Sequence, residues 1–419
     1  MISVLGALEL QVAAPSTRTR AKLCSNCAHT EGSIYSRSMP DVTPPMSHSP
    51  SATLSAMTFR QIARERHLPA LDGLRAVAVF TVMVYHYTES RWVPGDLGVS
   101  LFFVISGFLI TLLLIRELDK TGAVSLRGFY LRRTLRIFPA YYAYIVFSLA
   151  VDWFRGHRWT LGLFLAAIGY VVNYYNALNG HPVTSVSHAW SLADEEQFYL
   201  LWPAIFLLLA ARPVRTARTV LIAIIIGVVV WRSYLYLGRG VGPAYVYNAF
   251  DTRFDNLAIG CLVAFLTSSE RMGRWARIIV AWQWLPLATI VLLYTSRVFA
   301  PASYHYSVGF TVDAVLMAVL LVQLMQLTSA SLWRWLDHRV TRFFGAISYP
   351  LYLYHGWGMS VATHLGNHSN VVKTFVAIAA STVLACGSYY LVERPFLRIK
   401  QHLERRRKNP STLLGATQP

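Results

Sequence analysis

Residues 97–115 read LGVSLFFVISGFLITLLLI, an unbroken apolar run held between Asp96 and Arg116. Wound as a helix it would extend about 28 Å, close to the roughly 30 Å hydrocarbon thickness of a bilayer. Other apolar stretches of spanning length lie near residues 71–89, 196–211, 219–237, 254–267, 278–296, 309–327, 343–363 and 371–392, some using polar flanks to reach full thickness. The whole chain agrees with this reading: 55% of its residues are hydrophobic, 14% are charged, and the mean hydropathy is +0.41. Soluble domains run nearer a quarter charged, so an ordinary globular protein and a wholly disordered chain are both excluded. With 25 Gly, 18 Pro and 4 Cys in 419 residues, collagen-like and disulfide-scaffold classes are excluded too. The expected class is all-α, a polytopic transmembrane helical bundle.

Charge sets the expected topology. Thirty-eight Lys and Arg stand against 20 Asp and Glu, a net +18. The arginines recur in clusters: Arg60/Arg64/Arg66, Arg116 to Arg136, Arg212/Arg215/Arg218, Arg271/Arg274/Arg277, Arg334/Arg339/Arg342 and Arg394 to Lys408. Each cluster falls two crossings after the last if 138–175 crosses once, which is the positive-inside pattern. Arg239 and Arg253 then belong to an outer loop. The expectation is about ten membrane-spanning helices in a bacterial cytoplasmic (inner) membrane, with both termini cytoplasmic. Within 138–175, two short apolar stretches are split by Arg155, Gly156, His157 and Arg158, so one full helix plus a re-entrant or surface-lying piece is expected. Arginines that alternate with apolar spans do not line one soluble surface, so nucleic acid is not an expected partner.

Residues 1–67 are rich in Ser, Thr and Pro and read as a disordered N-terminal tail, with Met46 and Met57 as alternative starts. Residues 68–400 form the transmembrane domain and 401–419 a basic cytoplasmic tail. Cys24 and Cys27 make a lone CxxC with no second pair, so no metal is expected. Nucleotide-binding and hydrolase fingerprints are absent from the sequence.

Ionisable residues inside membrane helices are costly and point to function. In LDGLRAVAVFTVMVYHY (71–87), Arg75 and His86 are eleven residues apart, close to three turns, so they share one face about 16 Å apart along the axis. In SLRGFYLRRTLRIFPAYY (125–142), Arg133 and Arg136 sit at i and i+3 of an expected interfacial helix. Guanidinium forks suit phosphate oxygens, so Arg75, Arg133 and Arg136 make a candidate phosphate site. A basic helix resting on lipid headgroups is the alternative. In SHAWSLADEEQFYLLWP (187–203), Asp194, Glu195 and Glu196 would occupy a helix start capped by Ser191. One of these three carboxylates would pair with His86 at the same depth, fixing its tautomer. Ser106 and Gly107 allow close backbone approach, and His355 is a second intramembrane imidazole after a Pro350 kink. Outer-loop His181 and His188 are within the range of a substrate.

The strings LPALDGLRAVAVFTVMVYHY, GVSLFFVISGFLIT, FYLRRTLRIFPAYY, HAWSLADEEQFYLLWP, ISYPLYLYH and VERPF, in this order over roughly residues 68–400, resemble the acyltransferase-3 family of bacterial integral membrane acyltransferases. The resemblance implies transfer of an acyl group, usually acetyl from acetyl-CoA, to sugars of lipopolysaccharide, exopolysaccharide or peptidoglycan, or to macrolide-type compounds. The family's Arg-x10-His pattern falls on Arg75 and His86, its Arg-x-x-Arg on Arg133 and Arg136, and its Ser-Gly-Phe on Ser106 to Phe108. Its tryptophan-led pattern falls on Trp190, Glu195, Phe198 and Tyr199, and Asp194 departs from it, the family usually having an apolar residue there.

By resemblance, then, His86, Glu195 and Glu196 are the expected catalytic residues. Arg75, Arg133, Arg136, Ser106 and Gly107 are expected to hold acyl-CoA as co-substrate, and Trp190, Tyr199 and His355 to meet a carbohydrate or glycolipid acceptor. Some family members add an extracytoplasmic esterase-like domain; its absence from this sequence implies a stand-alone transferase. The competing reading is a transporter or flippase of a modified lipid or glycan, which paired broken helices would favour.

Overall fold

A computed structural model of the chain describes residues 68–88, 92–267, 282–366 and 368–408. The expected tail of residues 1–67, the Arg271/Arg274/Arg277 cluster and residues 409–419 lie outside this set, as does the start of the span expected near 278. Among the described residues the fold is a bundle of helices. The first three are long: α1 (Pro69–Thr88), α2 (Gly95–Thr121) and α3 (Leu126–Phe154). Two short helices follow, α4 (Leu161–Ile168) and α5 (Val172–Leu178), then α6 (Trp190–Ala210), α7 (Val214–Ser233), α8 (Pro243–Asn248) and α9 (Phe250–Thr267). The remainder comprises α10 (Leu285–Phe299), α11 (Phe310–Leu327), α12 (Arg339–Ala346), α13 (Ser348–Thr363), α14 (Asn370–Ser388) and α15 (Arg394–Lys408).

Among the described residues, five stretches are long and apolar enough to cross a membrane: Gly95–Thr121, Leu126–Phe154, Val214–Gly238, Ala302–Leu327 and Asn370–His402. Where described, the other expected spans are helical, that near 343–363 as two helices, and they are shorter or carry ionisable side chains within their length. Residues 401–408, expected as tail, continue α15 as helix.

Local chemistry sets the helix ends. Ser125 caps α3, its hydroxyl accepting from Gly128 N at 3.2 Å, and Gly122 closes α2 with φ +72°, a left-handed conformation glycine adopts without a Cβ penalty. Two expectations are corrected here. The arginines of 125–142 do not lie on a separate interfacial helix; α3 runs continuously through Pro139 to Phe154, so arginines and apolar span share one rod. Pro350 occupies the first turn of α13, where its missing N–H would have no helical partner anyway, and so initiates the helix instead of kinking it.

The interior combines tight apolar packing with buried charge. The α2/α9, α13/α14 and α1/α2 pairs form the most extensive contacts. A Cβ on Gly107 would sit 2.0 Å from Leu257 O, and one on Gly260 2.2 Å from Val104 O, so α2 and α9 approach backbone to backbone. Arg232 pairs with Asp255 at 3.0 Å, both side chains wholly buried, and also donates to Ser307 O and Thr252 O. Arg253, expected in an outer loop, is fully buried on α9 with its guanidinium 3.8 Å from the Phe310 ring centre. Cation–π contact and a hydrogen bond to Ser100 hold it there.

Candidate functional site

Among the described residues, two cavities share Tyr352 in their lining. The first, about 80 Å³, is lined by Arg75, Arg133 and Arg136 together with Glu195, Glu196 and Glu393. The second, about 690 Å³, is lined by His86, His181 and His188. They are called the arginine cavity and the histidine cavity below.

The arginine cavity draws on six elements, α1, α2, α3, α6, α13 and the turn after α14. Arg75 comes from α1 and Arg133 and Arg136 from one face of α3, while Arg132, one position away, turns aside and pairs with Glu117 at 2.7 Å. From α2, Ser106 Oγ donates to Glu195 Oε1 at 2.9 Å, and Tyr199 OH donates to Glu195 Oε2 at 3.0 Å. The guanidinium of Arg133 stands 5.0 Å from the Tyr199 ring centre. A wide π-type turn at Tyr389–Glu393 joins α14 to α15 and brings Glu393 into the same lining, where one of its carboxylate oxygens has no hydrogen-bond partner. Three guanidiniums thus face three carboxylates in a space too small for a nucleotide. It can hold a narrow polar group whose anionic end meets the arginines.

In the histidine cavity the ring orientation of His86 is set by its own helix. Its Nδ1 lies 2.9 Å from Val82 O; a carbonyl only accepts, so Nδ1 carries the proton and Nε2 is left with a lone pair. His355 sits behind it, ring centres 5.0 Å apart, and bonds Tyr352 O through Nδ1 at 2.5 Å. His188 follows at 4.8 Å from His355, its Nε2 donating to Leu353 O at 3.0 Å. His181, in the loop after α5, bonds Asn248 Oδ1 at 2.8 Å, and burial pushes its imidazole below the ordinary histidine pKa.

The expected pairing of Glu195 or Glu196 with His86 does not occur. α6 starts at Trp190, so Glu195 lies five residues inside it, roughly 8 Å along the axis, level with the arginines. The same offset leaves the first turn of α6 without an acid, and Ser191 is not its cap: its hydroxyl meets Tyr352 OH at 2.8 Å. Asp194 is buried and accepts from Asn173 Nδ2 at 2.7 Å, on the face away from both cavities' linings.

Ser106 lines the arginine cavity, whereas Gly107 faces α9 and serves helix packing. Trp190 lines the histidine cavity, Tyr199 lines the arginine cavity, and His355 is 2% exposed and lines neither. Tyr352 and Glu393 were not singled out from the sequence, and Ser191 was read there only as a helix cap. A glutamate at the end of an apolar run was the available signal for Glu393; nothing local marked Tyr352.

Comparison with known proteins adds to this geometry. A family model described as an acyltransferase domain matches residues 68–390. The peptidoglycan O-acetyltransferase of Listeria monocytogenes is 31% identical over 352 residues, covering 79% of this chain and 56% of that protein. A Staphylococcus aureus protein provisionally named as an O-acetyltransferase is 29% identical, covering 81% of this chain and 58% of its own length. A Bacillus subtilis protein provisionally named as a peptidoglycan O-acetyltransferase is 30% identical, with 80% and 56% covered. The chain therefore spans a little over half the length of these relatives. No solved structure matches.

Proposed function

We propose, since the chain belongs to the acyltransferase family through residues 68–390, that it is a membrane O-acetyltransferase taking its acyl group from acetyl-CoA and passing it to a hydroxyl of an envelope carbohydrate. Peptidoglycan is the acceptor named in the relatives. One observation carries the proposal: an arginine-lined cavity and a cavity holding a histidine with a free ring nitrogen meet at a single residue, Tyr352.

The donor's phosphates meet Arg75, Arg133 and Arg136 from the cytoplasmic side of the inner membrane, with the nucleotide at the mouth of the narrow cavity. Its extended arm then runs along the α1 face that separates Arg75 from His86 by about 16 Å. His86 Nε2 accepts the proton of the acceptor hydroxyl as the oxygen attacks the thioester carbonyl. The new C–O bond forms, the C–S bond breaks, and the proton leaves on the CoA thiol. The Val82 carbonyl supplies the orientation expected of a carboxylate, and Glu195, bonded to Ser106 and Tyr199, holds the arginine side of the site in shape.

The test is transfer of radiolabelled acetyl-CoA by purified protein to extracted envelope glycan. Wild type should label the glycan, and His86→Ala should lose about 10²–10⁴-fold in rate while still binding acetyl-CoA. Arg136→Ala should weaken acetyl-CoA binding. Full activity in His86→Ala would sink the assignment, and no binding or transfer at all would favour the transporter reading.

A further inference from the structure

The histidine cavity carries a second set of polar groups that the transfer chemistry does not use. Asp96, in the first turn of α2, forms an ion pair with Arg297 at the end of α10, the side chains 12% and 15% exposed. Arg297 also donates through Nη1 to His305 Nδ1 at 2.7 Å. A guanidinium has donors only, so His305 Nδ1 is the acceptor in this contact. Asn248 donates Nδ2 to Ala244 O at 2.7 Å, which turns its Oδ1 towards His181. His181 therefore donates through Nδ1 and keeps Nε2 as an acceptor. The lining holds both donors and acceptors, and Tyr85, Tyr247 and Tyr306 add aromatic surface.

Asp96 and Arg297 are the only Asp, Glu, Lys or Arg residues among the described lining, and they cancel. The volume of about 690 Å³ lies within the roughly 300–1,000 Å³ of small-molecule sites. We propose that Asp96, Arg297, His305 and His181, the last held in place by Asn248, form the subsite for an uncharged sugar ring. A hydroxyl both donates and accepts, which suits a lining that offers both roles, while the phenol rings cover apolar C–H faces. An acidic sugar meets no spare cation here to offset the loss of its own hydration. The proposal rests on the transferase reading in one respect: the bound sugar's hydroxyl is what His86 addresses.

Equilibrium dialysis of the full chain in detergent tests it, using two labelled tetrasaccharides of equal length, an N-acetylglucosamine tetramer and a galacturonic acid tetramer, with acetyl-CoA binding measured in parallel. The neutral tetramer should bind saturably and the acidic one should not. Arg297→Gln should weaken the neutral tetramer about tenfold or more through loss of charge-assisted bonds, with acetyl-CoA binding unchanged. His305→Ala, which leaves the Asp96–Arg297 pair in place, is the second variant and should weaken it about fivefold. No saturable binding of the neutral tetramer, equal or tighter binding of the acidic one, or unchanged affinity in folded variants would overturn the subsite. Sugar binding without acetyl-CoA binding would uphold the subsite and sink the transferase reading instead.

Discussion

The hydroxyls of Tyr352 and Ser191 lie 2.8 Å apart where the arginine cavity meets the histidine cavity. Tyr352 OH donates its proton to His188 O at 2.9 Å, so Ser191 is the donor between the two hydroxyls. The tyrosine ring also packs on Phe102 with centres 6.1 Å apart. One side chain, tied to α6 and resting on α2, thus stands between the two cavities.

Removing that partition and removing only its hydroxyl should therefore differ. Tyr352→Ala should raise hydrolysis of acetyl-CoA in the absence of acceptor, because water enters from the wider cavity. Tyr352→Phe should keep hydrolysis low and cost about 1–2 kcal/mol of stability for the lost bonds. Measuring CoA release without acceptor and thermal unfolding in detergent separates the two, and equal hydrolysis in wild type and Tyr352→Ala would refute the partition.

Helix contact at Gly107 should be intolerant of a methyl group. Gly107→Ala places a Cβ against Leu257 O and should destabilise by about 1–3 kcal/mol. Gly227→Ala on α7 meets nothing within 4 Å and should be neutral or slightly stabilising. Comparing their unfolding midpoints checks this, and equal midpoints would refute it.

Asp255→Ala should be among the most destabilising single changes away from the cavities. It leaves the buried Arg232 guanidinium without its carboxylate, a loss of about 3–5 kcal/mol. A double change of Arg232→Met with Asp255→Ala should restore part of that stability, since no unpaired charge remains. Thermal unfolding of the three proteins decides it.

Protonation of His181 gives a pH dependence whose sign follows from its burial. Its folded-state pKa is lowered, so below the ordinary imidazole value the unfolded chain binds more protons than the folded one. Its contribution to stability should be constant above about pH 6.5 and fall as pH drops below that value towards the folded-state pKa. His181→Asn should show a smaller loss of unfolding temperature over the same range, and an identical slope would refute the assignment.

Several features were legible along the chain because they depend on local period alone. The apolar run at 97–115 is helical within α2, and the eleven-residue interval put Arg75 and His86 on one helix face whatever surrounds it. The i, i+3 interval likewise brought Arg133 and Arg136 into one lining. Glu195 was misplaced because its depth depends on where α6 begins, and that start at Trp190 is fixed by packing and by the Ser191–Tyr352 contact, 161 residues apart in sequence. The buried Arg253 was taken for a loop charge because its stabilising rings come from residues as distant as Phe103 and Phe310.

The sequence by itself determined that the chain is an all-α membrane bundle, which residues carry charge into it, and the α1 spacing between cation and imidazole. Those follow from hydropathy and helical geometry, properties of neighbouring residues. Only the tertiary structure decided that the carboxylates face the arginines, that a backbone carbonyl orients His86, and that Tyr352 divides two cavities. Each is a contact between helices far apart in the chain, or a choice among partners that packing alone makes.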